Sequence, residues 1–325
     1  MNNLEKVARK KLTKSYQALG TVVTLTVYGC KEVTILDKTY QLIKDYEAIF
    51  TVNREQSELM SVNHNAAIEP RQVSEAAYQL TKIAVEKSKE DFGFNVAIGP
   101  LVKLWRIGFS DARLPSQAEI NQKLEVINPD DIELNDEEFS IFLHKKGMEI
   151  DLGAIAKGYI ADRIKDFWQA YGISSGIINL GGNLLLMGKA VHQQNKKWRV
   201  GIRNPLNNSK VPILQILTDE SSVVTSGISE RSLRVNGQLY HHIIDCKTGY
   251  PHQNQLASVT VLSKKSIDGE IETTRLFFAD GPIENWLTEN NEVYGAIFIS
   301  KDKKIRTVGI PKSQIYIADE SFEFE

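Results

Sequence analysis

Seven strand-like runs crowd into the stretch from 173 to 299, and they constrain the fold more than any other feature of the chain. They cover 173–179, 183–188, 198–203, 211–217, 222–225, 257–262 and 293–299. Each is rich in apolar and β-branched residues and is bounded by polar or turn-forming text. An eighth run, GTVVTLTVY over 20–28, alternates Thr with apolar residues. With the helical stretches between them, these runs make a mixed α/β chain.

Helical spacing interrupts these runs. Ile35, Leu36, Tyr40, Ile43, Tyr46 and Ile49 line one face of an amphipathic helix over 34–50. Ser74 is placed to cap a helix running to about Lys89. A third helix is predicted from near Asp151 to just before Gly172, with Ile155, Tyr159, Ile164, Phe167 and Trp168 on its apolar face. A fourth is predicted within 273–290. The segment 51–67 reads as a loop with short helical turns, Gly99-Pro100 as a break, 111–136 as a helix-containing excursion and 141–150 as a hairpin around Lys146-Gly147. The expectation is an α+β (mixed α/β) fold of two closely packed subdomains, with no linker or repeat.

The bulk numbers exclude several classes. A chain of 325 residues, 42% hydrophobic and 25% charged, can bury a sizeable core. A net charge of −2 gives no field for nucleic acid. Cys30 and Cys246 lie far apart and outside any CxxC, which argues against a disulfide framework or a structural zinc site. No apolar run reaches the length of a membrane span, so no membrane anchor is expected. The opening MNNLEKVARKKLTKSYQ has no apolar signal core, which predicts a cytoplasmic protein.

Four clusters can carry chemistry. In DLGAIAK, Asp151 opens a helix-like stretch, small residues follow, and Lys157 lies one turn in. A helix start of this kind suits phosphate, although taken alone Asp151 reads by default as a simple N-cap. The pair Gly181-Gly182 between Asn179 and Asn183 allows a tight turn or close backbone approach. His241 and His242 precede Ile243, Ile244 and Asp245, so one histidine could act as a base, with Asp245 orienting it or shaping the turn. Thr225-Ser226-Gly227 offers small hydroxyls beside glycine. No Walker A sequence and no GxGxxG after a strand is present.

In order, ALGTVVTL, SELMSVN, FNVAIGPLVKLW, EIDLGAIAKGYIADRI, IINLGGNLLLMG, WRVGIRNP, VVTSG and HHIIDCKTGYP followed by SVTV resemble the segments of the ApbE-type flavin transferases. The resemblance spans roughly 16–310, leaving 1–15 as an N-terminal extension and 311–325 as a C-terminal tail. It implies that FAD is bound between α/β layers and split with the help of Mg²⁺. The FMN half then passes to a Thr or Ser hydroxyl of an acceptor flavoprotein, and AMP leaves. Position by position, Leu19, Asn53, Gly93, Phe94, Asn95, Asp151, Lys157 and Ile244 match FAD-binding positions, and His242 matches the base. The Ala154 carbonyl, Glu270, Thr273 and Thr274 match the metal-binding segment.

Departures from the pattern are as informative. Asn53 stands where the family has a Tyr that stacks on the flavin, and an amide offers no aromatic face. Asn95 replaces a frequent Asp. Glu270 takes the place of an Asp ligand, with Asp268 as the alternative if the register slips by two.

Overall fold

The computed structural model describes residues 10–207, 209 and 211–325. In chain order the elements begin β1 (Lys11–Ala18), β2 (Thr21–Tyr28), α1 (Ile35–Phe50), α2 (Glu58–His64), β3 (Arg71–Gln72), α3 (Glu75–Ser88), α4 (Gly99–Trp105) and α5 (Gln117–Leu124). They continue with β4 (Ile132–Asn135), β5 (Ser140–Leu143), α6 (Ala156–Ala170), β6 (Gly176–Leu180), β7 (Asn183–Met187), β8 (Trp198–Arg203), β9 (Pro212–Thr218) and β10 (Ser221–Gly227). The last are β11 (Ser232–Val235), β12 (Gln238–His241), β13 (Leu256–Ser263), α7 (Ser266–Phe278), α8 (Trp286–Glu289), β14 (Val293–Ser300), β15 (Lys304–Val308), β16 (Ile315–Ile317) and β17 (Glu323–Phe324).

A nine-stranded sheet in the order β1-β2-β6-β7-β10-β13-β14-β15-β17 is the backbone of the mixed α/β fold. Its pairings are antiparallel except β15 with β17. All eight residues of β13 are buried, as expected of a strand covered on both faces. Val23, Leu25, Val27, Ile178 and Leu180 pack into a core shared with α1, α3 and α6. Leu186, Val223, Leu262, Ile297 and Ile299 pack into a second core, with Trp198, Val200, Ile202, Leu214 and Ile216 of the small sheet β16-β9-β8. Among the described residues no helix is long and apolar enough to cross a membrane.

Several boundaries differ from the sequence expectation, each for a local reason. α6 begins at Ala156 rather than near Asp151, because Asp151 spends its side chain on a turn: Oδ1 accepts from the Gly153 N–H at 2.7 Å. α7 starts at Ser266, earlier than 273, and ends at Phe278, and only the short α8 follows in 279–290. Gly99-Pro100 starts α4 instead of breaking structure, since Pro fits the first helical turn. The hairpin near 141–150 is formed by β4 and β5, one strand earlier. The terminal segments also join sheets. β1 pairs with β2, β16 with β9 and β17 with β15, and Phe322 is buried.

α6 and α7 cross at Gly158. A Cβ there would lie 2.7 Å from both the Ile267 Cα and the Ser266 carbonyl oxygen, backbone atoms that cannot swing aside. Gly158→Val should therefore cost roughly 2 kcal/mol or more of unfolding free energy, the range of an overpacked core site. Urea denaturation measures this; an unchanged midpoint would contradict the crossing.

Candidate functional site

The two crossing helices cap one another. From α6, Asp162 accepts the Ser266 N–H (2.8 Å) and the Ile267 N–H (3.0 Å) at the start of α7. From α7, Glu270 Oε2 accepts the Gly158 N–H at the start of α6 (2.8 Å), while its Oε1 accepts from Asn183 Nδ2 (3.0 Å). Asn183 Oδ1 in turn accepts from the Ser266 hydroxyl at 2.8 Å. Helix starts expose N–H groups that need acceptors, and here buried carboxylates supply them from across the crossing. Burial pushes the Asp162 carboxyl up to about 6, against the pull of its two N–H donors. Burial likewise pushes Glu270 up to about 7, opposed by Lys157, Gly158 and Asn183.

This arrangement frees a carbonyl. In a continuing helix the Gly158 N–H would bond back to Ala154; here Glu270 takes it. Among the described residues no backbone N–H donates to the exposed Ala154 carbonyl. Thr274 Oγ1 donates to the Glu270 carbonyl at 3.1 Å and is half-buried. Thr273 is fully buried, with its hydroxyl already between Ser226 and the Glu270 carbonyl.

His242 feels the charge of Lys157 in the first turn of α6. Its backbone N–H donates to the Arg231 carbonyl (3.2 Å), and ring Nδ1 faces the same oxygen at 3.3 Å. A carbonyl can only accept, so Nδ1 carries the proton and Nε2 keeps a free lone pair. Burial first, then the charge of Arg231, with Lys157 adding less, holds the imidazole down at about 3. Among the described residues Lys157, Arg203 and Arg231 form no ion pair. Glu230 is near enough to all three to feel their charges, and Asp151 feels Arg231 and Lys103. The result is a neutral histidine with an open nitrogen that feels Arg231 and Lys157, a setting for a polyanion.

The other predicted positions divide into two groups. Leu19 occupies the β1–β2 turn with φ +54°, a backbone region a bulky residue rarely adopts, and its N–H donates to Glu47 Oε1 at 2.7 Å. Glu47 also pairs with Arg54 at 3.3 Å, so one carboxylate ties the Leu19 turn to the loop holding exposed Asn53. Gly93 (φ +103°) lies flat on the Phe278 ring, where a Cβ would come within 2.2 Å. Phe94 and Ile244 are core residues. The Asn95 amide is spent internally, donating to the Ile127 carbonyl and accepting from Ala97 N–H, each at 2.8 Å.

Comparison with known proteins decides the kinship. The sequence profile of the ApbE family matches residues 19–298. The chain belongs to the ApbE family. An FAD:protein FMN transferase of Klebsiella pneumoniae (strain 342) is 40% identical over 294 residues, 90% of each chain. One of Treponema pallidum is 30% identical, over 97% of this chain and 92% of its own. The crystal structure of the ApbE protein of Thermotoga maritima superposes with a TM-score of 0.81 at 26% identity, covering 91% of this chain and 96% of that one.

Within this ApbE chain, the crossing brings Glu270, with Thr274 one turn on, to the first turn of α6, which holds Lys157 and follows Ala154, and His242 feels the charge of Lys157. Sequence reasoning missed Asp162, Asn183, Glu47 and Arg231. It also left the partner of Asp245 open: that carboxylate holds His252 Nδ1 at 3.0 Å and turns the chain by accepting the Lys247 N–H, and does not orient His242.

Both capping carboxyls titrate higher folded than unfolded, so the stability they contribute is complete below about pH 4 and is lost as pH rises through 6 to 7. Urea denaturation of the metal-free protein should show wild type losing more stability than Glu270→Gln between pH 5 and 8. Parallel pH profiles would contradict the buried, uncompensated state of Glu270.

Proposed function

We propose that the chain transfers the FMN moiety of FAD to a Ser or Thr hydroxyl of an acceptor flavoprotein. The observation that carries this reading is His242, neutral with Nε2 open, beside unpaired Lys157 and Arg231 at the start of α6. The relatives from Klebsiella pneumoniae and Treponema pallidum, both FAD:protein FMN transferases, support it.

The FAD pyrophosphate would lie over the first turn of α6, drawn by Lys157, Arg231 and the helix dipole. The acceptor oxygen attacks the phosphorus of the FMN half, and His242 Nε2 takes the hydroxyl proton. The bond from that phosphorus to the bridging oxygen breaks, a phosphoester forms on the acceptor, and AMP leaves with the bridging oxygen. A base at about 3 is weak, but a bound polyanion offsets the nearby cations that depress it and so strengthens the base where substrate is present.

The residues also fit Mg²⁺. Among the described residues no three His, Cys, Asp or Glu side chains cluster, so a hard cation here would rely on mixed oxygens. The free Ala154 carbonyl, the Glu270 carboxylate and the Thr274 hydroxyl are such a set. Bound there, Mg²⁺ would neutralise charge on the pyrophosphate. Glu270, at about 7 when metal-free, must ionise to bind it.

A second reading keeps FAD as substrate but gives water the role of the acceptor, yielding FMN and AMP. The exposed, non-aromatic Asn53 favours it, because a flavin without a stacking partner closes the site less well.

His242→Ala should reduce covalent FMN transfer by roughly 10²-fold or more, the usual scale for a lost general base, with FAD affinity nearly unchanged. Mass spectrometry of the acceptor reads this; surviving transfer would make His242 structural. At limiting Mg²⁺ the rate should fall as pH drops below 7, and that acid limb should move down as Mg²⁺ is raised. A limb that ignores Mg²⁺, or persists unaltered in Glu270→Gln, would contradict the metal role. AMP release without acceptor at the full rate would favour hydrolysis.

A further inference from the structure

A groove of about 390 Å³ opens next to the His242 cluster, and none of the residues assigned above to FAD or metal lines it. Its floor is one face of the large sheet, with Leu184, Val223, Thr225 and Gly227 at alternate positions of β7 and β10. Its wall is β8. Residues 200 to 203 of β8 all touch the groove although their side chains alternate between faces, so what the groove follows is the edge of the strand.

That edge is free: β8 ends the β16-β9-β8 sheet and, among the described residues, pairs only with β9. A row of unpaired N–H and C=O groups is a template for another strand. Among the described residues no aromatic ring lines the groove, so they offer neither flavin nor adenine a stacking face. Among the described residues Arg203 is the one cation lining it, and the Glu230 carboxyl lines it too, so it is no cationic cradle for a pyrophosphate. Glu230 stands at the inner end and feels Lys157 and Arg231, the two cations that also act on His242.

We propose that this groove receives the acceptor polypeptide as an extended strand along the free edge of β8, carrying its Ser or Thr hydroxyl past Glu230 to His242. The proposal rests on the transferase reading above. Main-chain pairing would hold the strand, and the small lining residues Thr225 and Gly227 leave room for its side chains.

The test uses wild type and Asn204→Trp, which places a bulky ring in the groove away from the FAD and metal positions. The probe is the FMN-free form of a flavoprotein that normally carries FMN phosphoester-linked to Thr or Ser. The acceptor KM should rise about tenfold or more while the KM for FAD stays within about twofold. An unchanged acceptor KM would overturn the groove and leave the transferase reading intact. An equal rise for FAD would assign the groove to the nucleotide and overturn the proposal. Absence of transfer by wild type would sink the transferase reading and the groove with it. Asn204 also accepts the Leu206 N–H, so hydrogen exchange on unaltered protein provides a second measurement. Amides over 198–204 should exchange several-fold more slowly with acceptor present, and unaltered exchange would overturn the added strand.

Discussion

The fold and the site meet in one interaction, the mutual capping of α6 and α7. Gly158 allows the two helices to touch, and Asp162 and Glu270 then satisfy each other's helix starts. Neither carboxylate could be removed without leaving buried N–H groups unpartnered, which costs more than the hydrogen bonds themselves contribute. The same bond that caps α6 diverts the Gly158 N–H from the Ala154 carbonyl. A structural necessity thus leaves an oxygen open at the position where ligand chemistry is expected.

Electrostatics set what the junction can hold. His242 is kept neutral by burial and by the charges of Arg231 and Lys157. Glu270 is kept near its titration point by burial, with Lys157 pulling the other way. Both groups wait for charges that the free protein does not supply, an anion for the cations and a hard cation for the carboxylate. Asp151 adds a third carboxyl raised by burial, held in a turn that shapes the approach to α6.

Much of this was legible in the sequence, and the failures have physical causes. The apolar strands and α1 were found because their periodicity coincides with burial. β1 was not: KLTKSYQA lies on the sheet edge mostly exposed, and its inward face of Leu12, Tyr16 and Ala18 is interrupted by Lys14. The start of α7 was hidden by Gly269, which discourages a helix but is required because a Cβ would sit 2.8 Å from Val224 Cγ2. The motif DLGAIAK was recognised, yet Asp151 resembled a helix cap while the true cap of α6 lay far off at Glu270. Asp162 was invisible for a related reason, since a charged residue inside an amphipathic helix normally faces solvent. Caps supplied across a tertiary crossing have no local signature.

In the proposed function, the junction of α6 and α7 would hold the metal and pyrophosphate of FAD against His242. A crystal structure with FAD and Mg²⁺ tests it most directly. Density is expected for an ion about 2.1 Å from the Ala154 carbonyl, Glu270 and Thr274 oxygens, with the pyrophosphate between it, Lys157 and His242. FAD bound with its pyrophosphate elsewhere, or an ion that avoids Glu270, would contradict it.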